Sequence, residues 1–200
     1  MRKLVKEYNI CKFEELSDDV KENVIDRLRE RIVEDNFLFL KENLNCIIKE
    51  NYDIKECEIK YSLTYSQGDG LSFSCDDLLK SSYIMNRVKD SLDKTQKAML
   101  TKLLNNDIIK FYSTGNQGHY CYSSEYDIDV EYNDYFWNIT NYQDKLIDDV
   151  KDIISEIYLE ICKDLEKIGY SYYDVDEDEV IDYINSYDYE FYESGEIYKE

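Results

Sequence analysis

The stretch Tyr61-Ser-Leu-Thr-Tyr-Ser-Gln-Gly-Asp-Gly-Leu-Ser-Phe-Ser-Cys75 constrains the fold more than any other, because it alternates apolar and polar residues on both sides of a glycine-bearing tip. Tyr61, Leu63 and Tyr65 alternate with Ser62, Thr64 and Ser66; after the tip, Leu71 and Phe73 alternate with Ser72 and Ser74. A period of two places one set of side chains on each face of a strand, so the segment is expected to be a hairpin with one buried face, turning at residues 67–70. An isolated hairpin is marginal in water and needs a covering layer.

Helices on either side are expected to supply that layer. Ser17 is an N-cap followed by Asp18 and Asp19, where the helix dipole favours negative charge, and an apolar stripe runs from Val20 to Ile48. The stripe shifts phase, so a break is expected near residues 34–36 of a helix over 17–50. Residues 78–104 read as a helical region in two pieces. Residues 144–168 carry Leu146, Val150, Ile153, Ile154, Ile157, Ile161, Leu165 and Ile168 at three- and four-residue spacing, with Gly169 expected as a left-handed cap. The opposite face of that helix carries Asp148, Asp149, Asp152, Glu156, Glu160 and Asp164 against Lys145, Lys151, Lys163 and Lys167.

A second hairpin is expected over residues 108–132, a short first strand within 3–13, an acidic helix over 175–184 and a closing hairpin turning at Ser194-Gly195. Its return strand contains Glu125-Tyr-Asp-Ile-Asp-Val-Glu131, with an acid at every second position, which sets carboxylates about 6.6 Å apart on one face. The expected fold class is therefore α+β: one domain spanning 1–200, in which the 57–75 and 108–132 hairpins form one antiparallel sheet, packed on one face by long amphipathic helices. The other face, with Ser62, Thr64, Ser66 and the 125–131 acids, is expected to be wet and negative.

Charge bounds the function. The formal net charge is −21, and it is uneven: residues 1–122 hold 21 acidic and 19 basic side chains, whereas residues 123–200 hold 24 acidic and 5 basic. A near-neutral part is followed by a strongly acidic one. Direct binding to nucleic acid or to an anionic membrane depends on Lys and Arg, so neither is expected, and a macromolecular partner is expected to be basic. No apolar run is long enough to span a bilayer and no signal-peptide pattern opens the chain, which points to a soluble, cytoplasmic protein. The cysteines at 11, 46, 57, 75, 121 and 162 lack a C-x-x-C pair and read as reduced thiols.

Motifs for chemistry are sparse. Asp174-x-Asp-x-Asp178 resembles the start of a calcium loop, but Glu179 stands at the sixth position where glycine is needed and Asn185 at the twelfth where a bidentate Glu is needed. His119 is the single histidine, which excludes sites built on two imidazoles. With Cys121 two residues along a strand, a Cys–His pair is geometrically conceivable. No phosphate-cradling glycine loop or nucleophile elbow occurs. No catalytic residue, metal or cofactor is therefore expected, and enzymatic activity is not the favoured reading.

Three segments, Phe13-Glu-Glu-Leu-Ser-Asp-Asp-Val-Lys21, Tyr61-Ser-Leu-Thr-Tyr-Ser-Gln-Gly-Asp-Gly70 and Tyr189-Glu-Phe-Tyr-Glu-Ser-Gly-Glu-Ile-Tyr198, together resemble a family of small acidic proteins encoded by bacteriophages and related mobile elements. The resemblance implies a phage context and interference with host defence, without a settled activity. The expected function is thus an acidic inhibitor, of anti-CRISPR or anti-restriction type, in which carboxylates replace the phosphates of DNA or RNA on a basic host protein or nucleoprotein. Its expected contact residues are Glu125, Asp127, Asp129 and Glu131, with Asp174, Asp176, Glu177, Asp178 and Glu179. An alternative is a small-ligand binder or small enzyme acting through the two hairpin tips (66–70 and 113–121), where Gln67, Asp69 and His119 converge. A further alternative is an acidic oligomeric accessory protein.

Overall fold

Both expected hairpins lie in one antiparallel sheet in the computed structural model, which describes residues 7–114, 127–133 and 139–198. In chain order the elements are β1 (Ile10–Cys11), α1 (Asp18–Tyr52), β2 (Glu58–Ser62), β3 (Gly70–Cys75), α2 (Ser82–Ser91), α3 (Lys94–Asn105), β4 (Ile109–Thr114), β5 (Ile128–Tyr132), α4 (Asn141–Ser171), α5 (Glu177–Ser186) and β6 (Phe191–Tyr192). The larger sheet runs β2-β3-β4-β5, and β1 pairs antiparallel with β6 in a second, two-stranded sheet. The fold is α+β.

Register fixes which side chains share a face. Ile59 lies opposite Phe73, Cys75 opposite Ser113, and Phe111 opposite Val130. Alternation along each strand therefore puts Ile59, Leu71, Phe73, Cys75, Ile109, Phe111 and Ile128 on one face, and all of them are buried. The other face carries Glu58, Lys60, Lys110, Asp129 and Glu131, exposed or half-exposed. α4 covers the apolar face: the Tyr158 ring lies 4.4 Å from that of Phe73. The Tyr158 hydroxyl also ties down the backbone of Phe73. It accepts from the Phe73 N–H (2.8 Å) and donates to the Phe73 carbonyl (2.7 Å), which also accepts from Ser113 Oγ (3.0 Å).

Three local expectations are corrected. The first strand of the 61–75 hairpin ends at Ser62, so Leu63 to Asp69 form the tip instead of extending the strand. Its extended run is interrupted because Tyr65 turns to φ 56° and the backbone N–H groups of Thr64 and Ser66 turn inward onto Asp69. Gly169 does not end α4, which continues to Ser171. That position is glycine because a Cβ there would stand 2.2 Å from Leu63 Cδ1. Finally, α1 is continuous through residues 34–36. Leu28 and Leu40 are twelve residues apart, a rotation of about 120° on a helix, so the shift in the stripe is a change of buried face and not a break. Leu38 and Phe39, between the two stripes, are 74% and 58% exposed.

That change of face coincides with a division of the chain into two compact units, residues 1–39 with 171–200 and residues 40–170. The division falls inside α1 and inside α4. The smaller unit is built on Phe13, Leu16, Val24, Ile25 and Leu28 packed with Val175, Val180, Ile184 and Phe191. Its closing hairpin turns at Gly195 as the sequence predicts; φ there is +83°, and an added Cβ would stand 2.8 Å from Val20 and 2.9 Å from Val24. The larger unit holds the β2-β3-β4-β5 sheet and the greater part of α4.

Candidate functional site

Alternation on β5 points Asp129 and Glu131 to the polar sheet face, and Asp127, just before the strand, is exposed as well. Glu125 and His119 lie outside the described residues. The row is partly compensated: Lys110 on β4 lies directly opposite Glu131, with Nζ 3.7 Å from its carboxylate, and Lys151 of α4 reaches to 3.4 Å from Asp129. The Asp129 carboxyl is held below its ordinary value, first by the N–H of Val130, against some cost of burial, and then by Lys151. Two of the three described acids thus already have cations beside them.

A second line of carboxylates lies on α4. Asp144, Asp148, Asp152, Glu156, Glu160 and Asp164 recur every four residues and are all exposed. Residues four apart are neighbours on a helix surface, so successive carboxylates rise by about 6 Å and step round by about 40°, a row that winds about 120° around α4 from Asp144 to Glu156. At the C-terminal end of this ridge Glu160 is bound by Arg87 of α2, and Asp164 accepts from the Tyr52 hydroxyl at 3.1 Å. Asp144, Asp148, Asp152 and Glu156 have no ion-pair partner among the described residues. The Tyr132 hydroxyl is pushed up by burial and then by the charges of Asp144, Asp148 and Asp129, and the contact of Lys151 with Asp129 brings α4 beside β5. The larger unit therefore has one acidic margin formed by a strand and a helix.

The remaining acids belong to the other unit. Asp174, Asp176, Glu177, Asp178 and Glu179 are all exposed. Asp176 is the N-cap of α5: its carboxylate accepts from the Glu179 N–H at 2.9 Å, and the Glu179 carboxylate accepts from the Asp176 N–H at 3.1 Å. This reciprocal pairing starts a helix and gives both residues a structural role. Glu177 and Asp178 fill the first turn, where the helix dipole favours them.

At the 63–69 tip, Gln67 is exposed, whereas Asp69 is the centre of the loop. Six donor groups stand 2.6–3.2 Å from its oxygens: the hydroxyls of Ser62, Thr64 and Ser66 at Oδ1, and the N–H groups of Thr64 and Ser66 with the Tyr170 hydroxyl at Oδ2. Burial works to raise this carboxyl, but the hydrogen bonds from Ser66, Thr64 and Ser62 together hold it well below the usual range. A carboxylate offers about four lone-pair sites, so these are filled and none is left to orient an imidazole. The same charge acts outward: Tyr170 is pushed up to about 12, first by burial and then by Asp69, while the ring of Tyr65 stacks on it at 4.7 Å.

The fold and the site together define an α+β protein with an acidic strand–helix margin. No protein-family model matches the chain, and neither a curated protein nor a solved structure matches it. No helix among the described residues is long and apolar enough to cross a membrane. Sequence reasoning saw the α4 acids but balanced them against the lysines of the same face. The separating signal is the four-residue spacing, which makes each acid the surface neighbour of the next along a row that winds around α4.

Proposed function

We propose that the protein is an acidic inhibitor of the kind mobile elements direct against host defence, acting in the host cytoplasm by occupying a basic nucleic-acid-binding groove of a nuclease or nucleic-acid-guided effector. The observation that carries the reading is the run Asp144, Asp148, Asp152 and Glu156, four exposed carboxylates at four-residue steps on one helix, with no ion-pair partner among the described residues. Their rise of about 6 Å per step is wider than the roughly 3.4 Å rise per phosphate along one strand of duplex DNA, so the margin replaces selected phosphates and not the whole backbone. Lys and Arg side chains that clasp phosphate make charge-assisted hydrogen bonds to carboxylate with the same geometry.

The test is a pull-down from host lysate with the tagged chain, washed at low and at moderate salt, with duplex DNA or RNA as competitor. The expected result is a basic nucleoprotein whose retention falls with salt, which nucleic acid displaces, and which an Asp148→Asn, Asp152→Asn, Glu156→Gln variant no longer holds. Retention that ignores both salt and competitor would remove mimicry of nucleic acid as the mode of binding.

A further inference from the structure

Two cysteines outside the acidic margin are placed opposite one another by the register of the β2–β3 hairpin. Glu58 pairs with Ser74, so the next position in each direction sets Cys57, just before β2, across from Cys75 at the end of β3. The hydrogen-bonding phase of this position follows from Phe73. Its N–H and carbonyl are engaged by Tyr158 and Ser113, on the side away from β2, so Phe73 and Ile59 form a non-hydrogen-bonded pair. Two residues further along, Cys57 and Cys75 occupy the same phase, in which opposed Cα atoms come to about 4.5 Å and side chains lean together. That spacing lies at the short end of the range a disulfide spans. Both thiols are free, Cys75 points to the face of Ile59 and Phe73 and is a charge neighbour of Cys57, and Cys75 also lines a cavity of about 370 Å³ with Lys55, Asp76 and Lys80.

We infer that Cys57 and Cys75 form a reversible cross-strand dithiol–disulfide couple, driven by low-molecular-weight disulfides such as glutathione disulfide. The Cys57 thiolate attacks one sulfur of glutathione disulfide, giving a mixed disulfide and releasing one glutathione. The Cys75 thiolate then attacks the Cys57 sulfur and releases the second glutathione. Two protein thiols are oxidised, one glutathione disulfide is reduced to two thiols, and the two protons pass to the released glutathione sulfurs. Burial, and then the neighbouring Cys75, pushes Cys57 up to about 11, and burial raises Cys75 too, so little of either is thiolate at neutral pH and the exchange is slow. The bond closes the loop that holds the Asp69 tip and fastens the edge strand β2 just before its first residue.

The test incubates the reduced, folded full chain with glutathione disulfide and reads intact mass, followed by peptide mapping without reduction. The expected product has lost two hydrogens at this pair, maps to a peptide joining Cys57 and Cys75, and returns to the dithiol with excess glutathione. Cys57→Ala and Cys75→Ala are each expected to abolish the internal crosslink, and the wild-type map stands by itself if either variant fails to fold. A map that joins other cysteines, a glutathione adduct on Cys57 that never resolves, or a 57–75 crosslink that forms only in denaturant would each overturn the inference.

Discussion

Asp69 shows how much structure one side chain can hold. Its carboxylate replaces the missing strand ladder of the 63–69 tip, accepting two backbone N–H groups and facing four hydroxyls. Asp69→Asn keeps the shape but turns an NH2 group toward donors, so a loss of about 1–3 kcal/mol is expected in urea denaturation. The pH dependence has a definite sign. Because the folded-state carboxyl is depressed, its stabilisation is complete above the ordinary carboxylate value of about 4 and drains away as pH falls below it. The gap between wild type and Asp69→Asn should therefore be full at neutral pH and narrow in acid; a gap that stays constant to low pH would show that the charge is not what organises the tip. Tyr158 is the buried counterpart. Tyr158→Phe strands the Phe73 N–H, with an expected cost of about 1–3 kcal/mol, whereas Ser113→Ala should cost less because the Phe73 carbonyl keeps its Tyr158 donor. Equal losses from the two variants would contradict that assignment.

Among the elements, those whose residues report their own environment were the legible ones. The apolar stripe of α4, the two-piece helical region and the alternation of β3 and β5 depend on local periodicity, and each appears close to its expected place. Asp69 and Gly169 misled because their reasons are non-local: one draws hydrogen bonds from α4 and its own loop, the other yields space to Leu63. The acidic margin was half legible for the same cause. The β5 row is a strand pattern, but which acids already have cations depends on Lys110, Lys151 and Arg87 arriving from other elements. The Gly169 contact supports a double-variant test. Gly169→Ala gains about 1 kcal/mol of helix propensity but drives a methyl into Leu63, which is 1% exposed, so overpacking of about 1–3 kcal/mol should leave it net destabilised. In a Leu63→Ala background the same change should be neutral or stabilising. Losses that simply add would mean the two residues are not in contact.

For the whole molecule the question is where its negative charge is answered. The chain carries 45 acids against 24 bases, and the described ion pairs lie on exposed or half-exposed side chains, where each contributes little. Carboxylates four apart on a helix repel by about 0.2–0.5 kcal/mol a pair, so the unpaired part of the α4 ridge is a small burden on the folded state. Asp144 is the exception, since in the first turn of α4 the helix dipole favours it. Replacing Asp148, Asp152 and Glu156 by Asn, Asn and Gln should therefore leave the Tm unchanged or slightly higher, with the gain largest at low salt, where repulsion is least screened. The same variant is expected to lose the basic partner. Kept stability with lost binding is the outcome required of a surface retained for contact; a sharp fall in Tm would mean that the ridge acts through the fold, and undiminished binding would take α4 out of the interface.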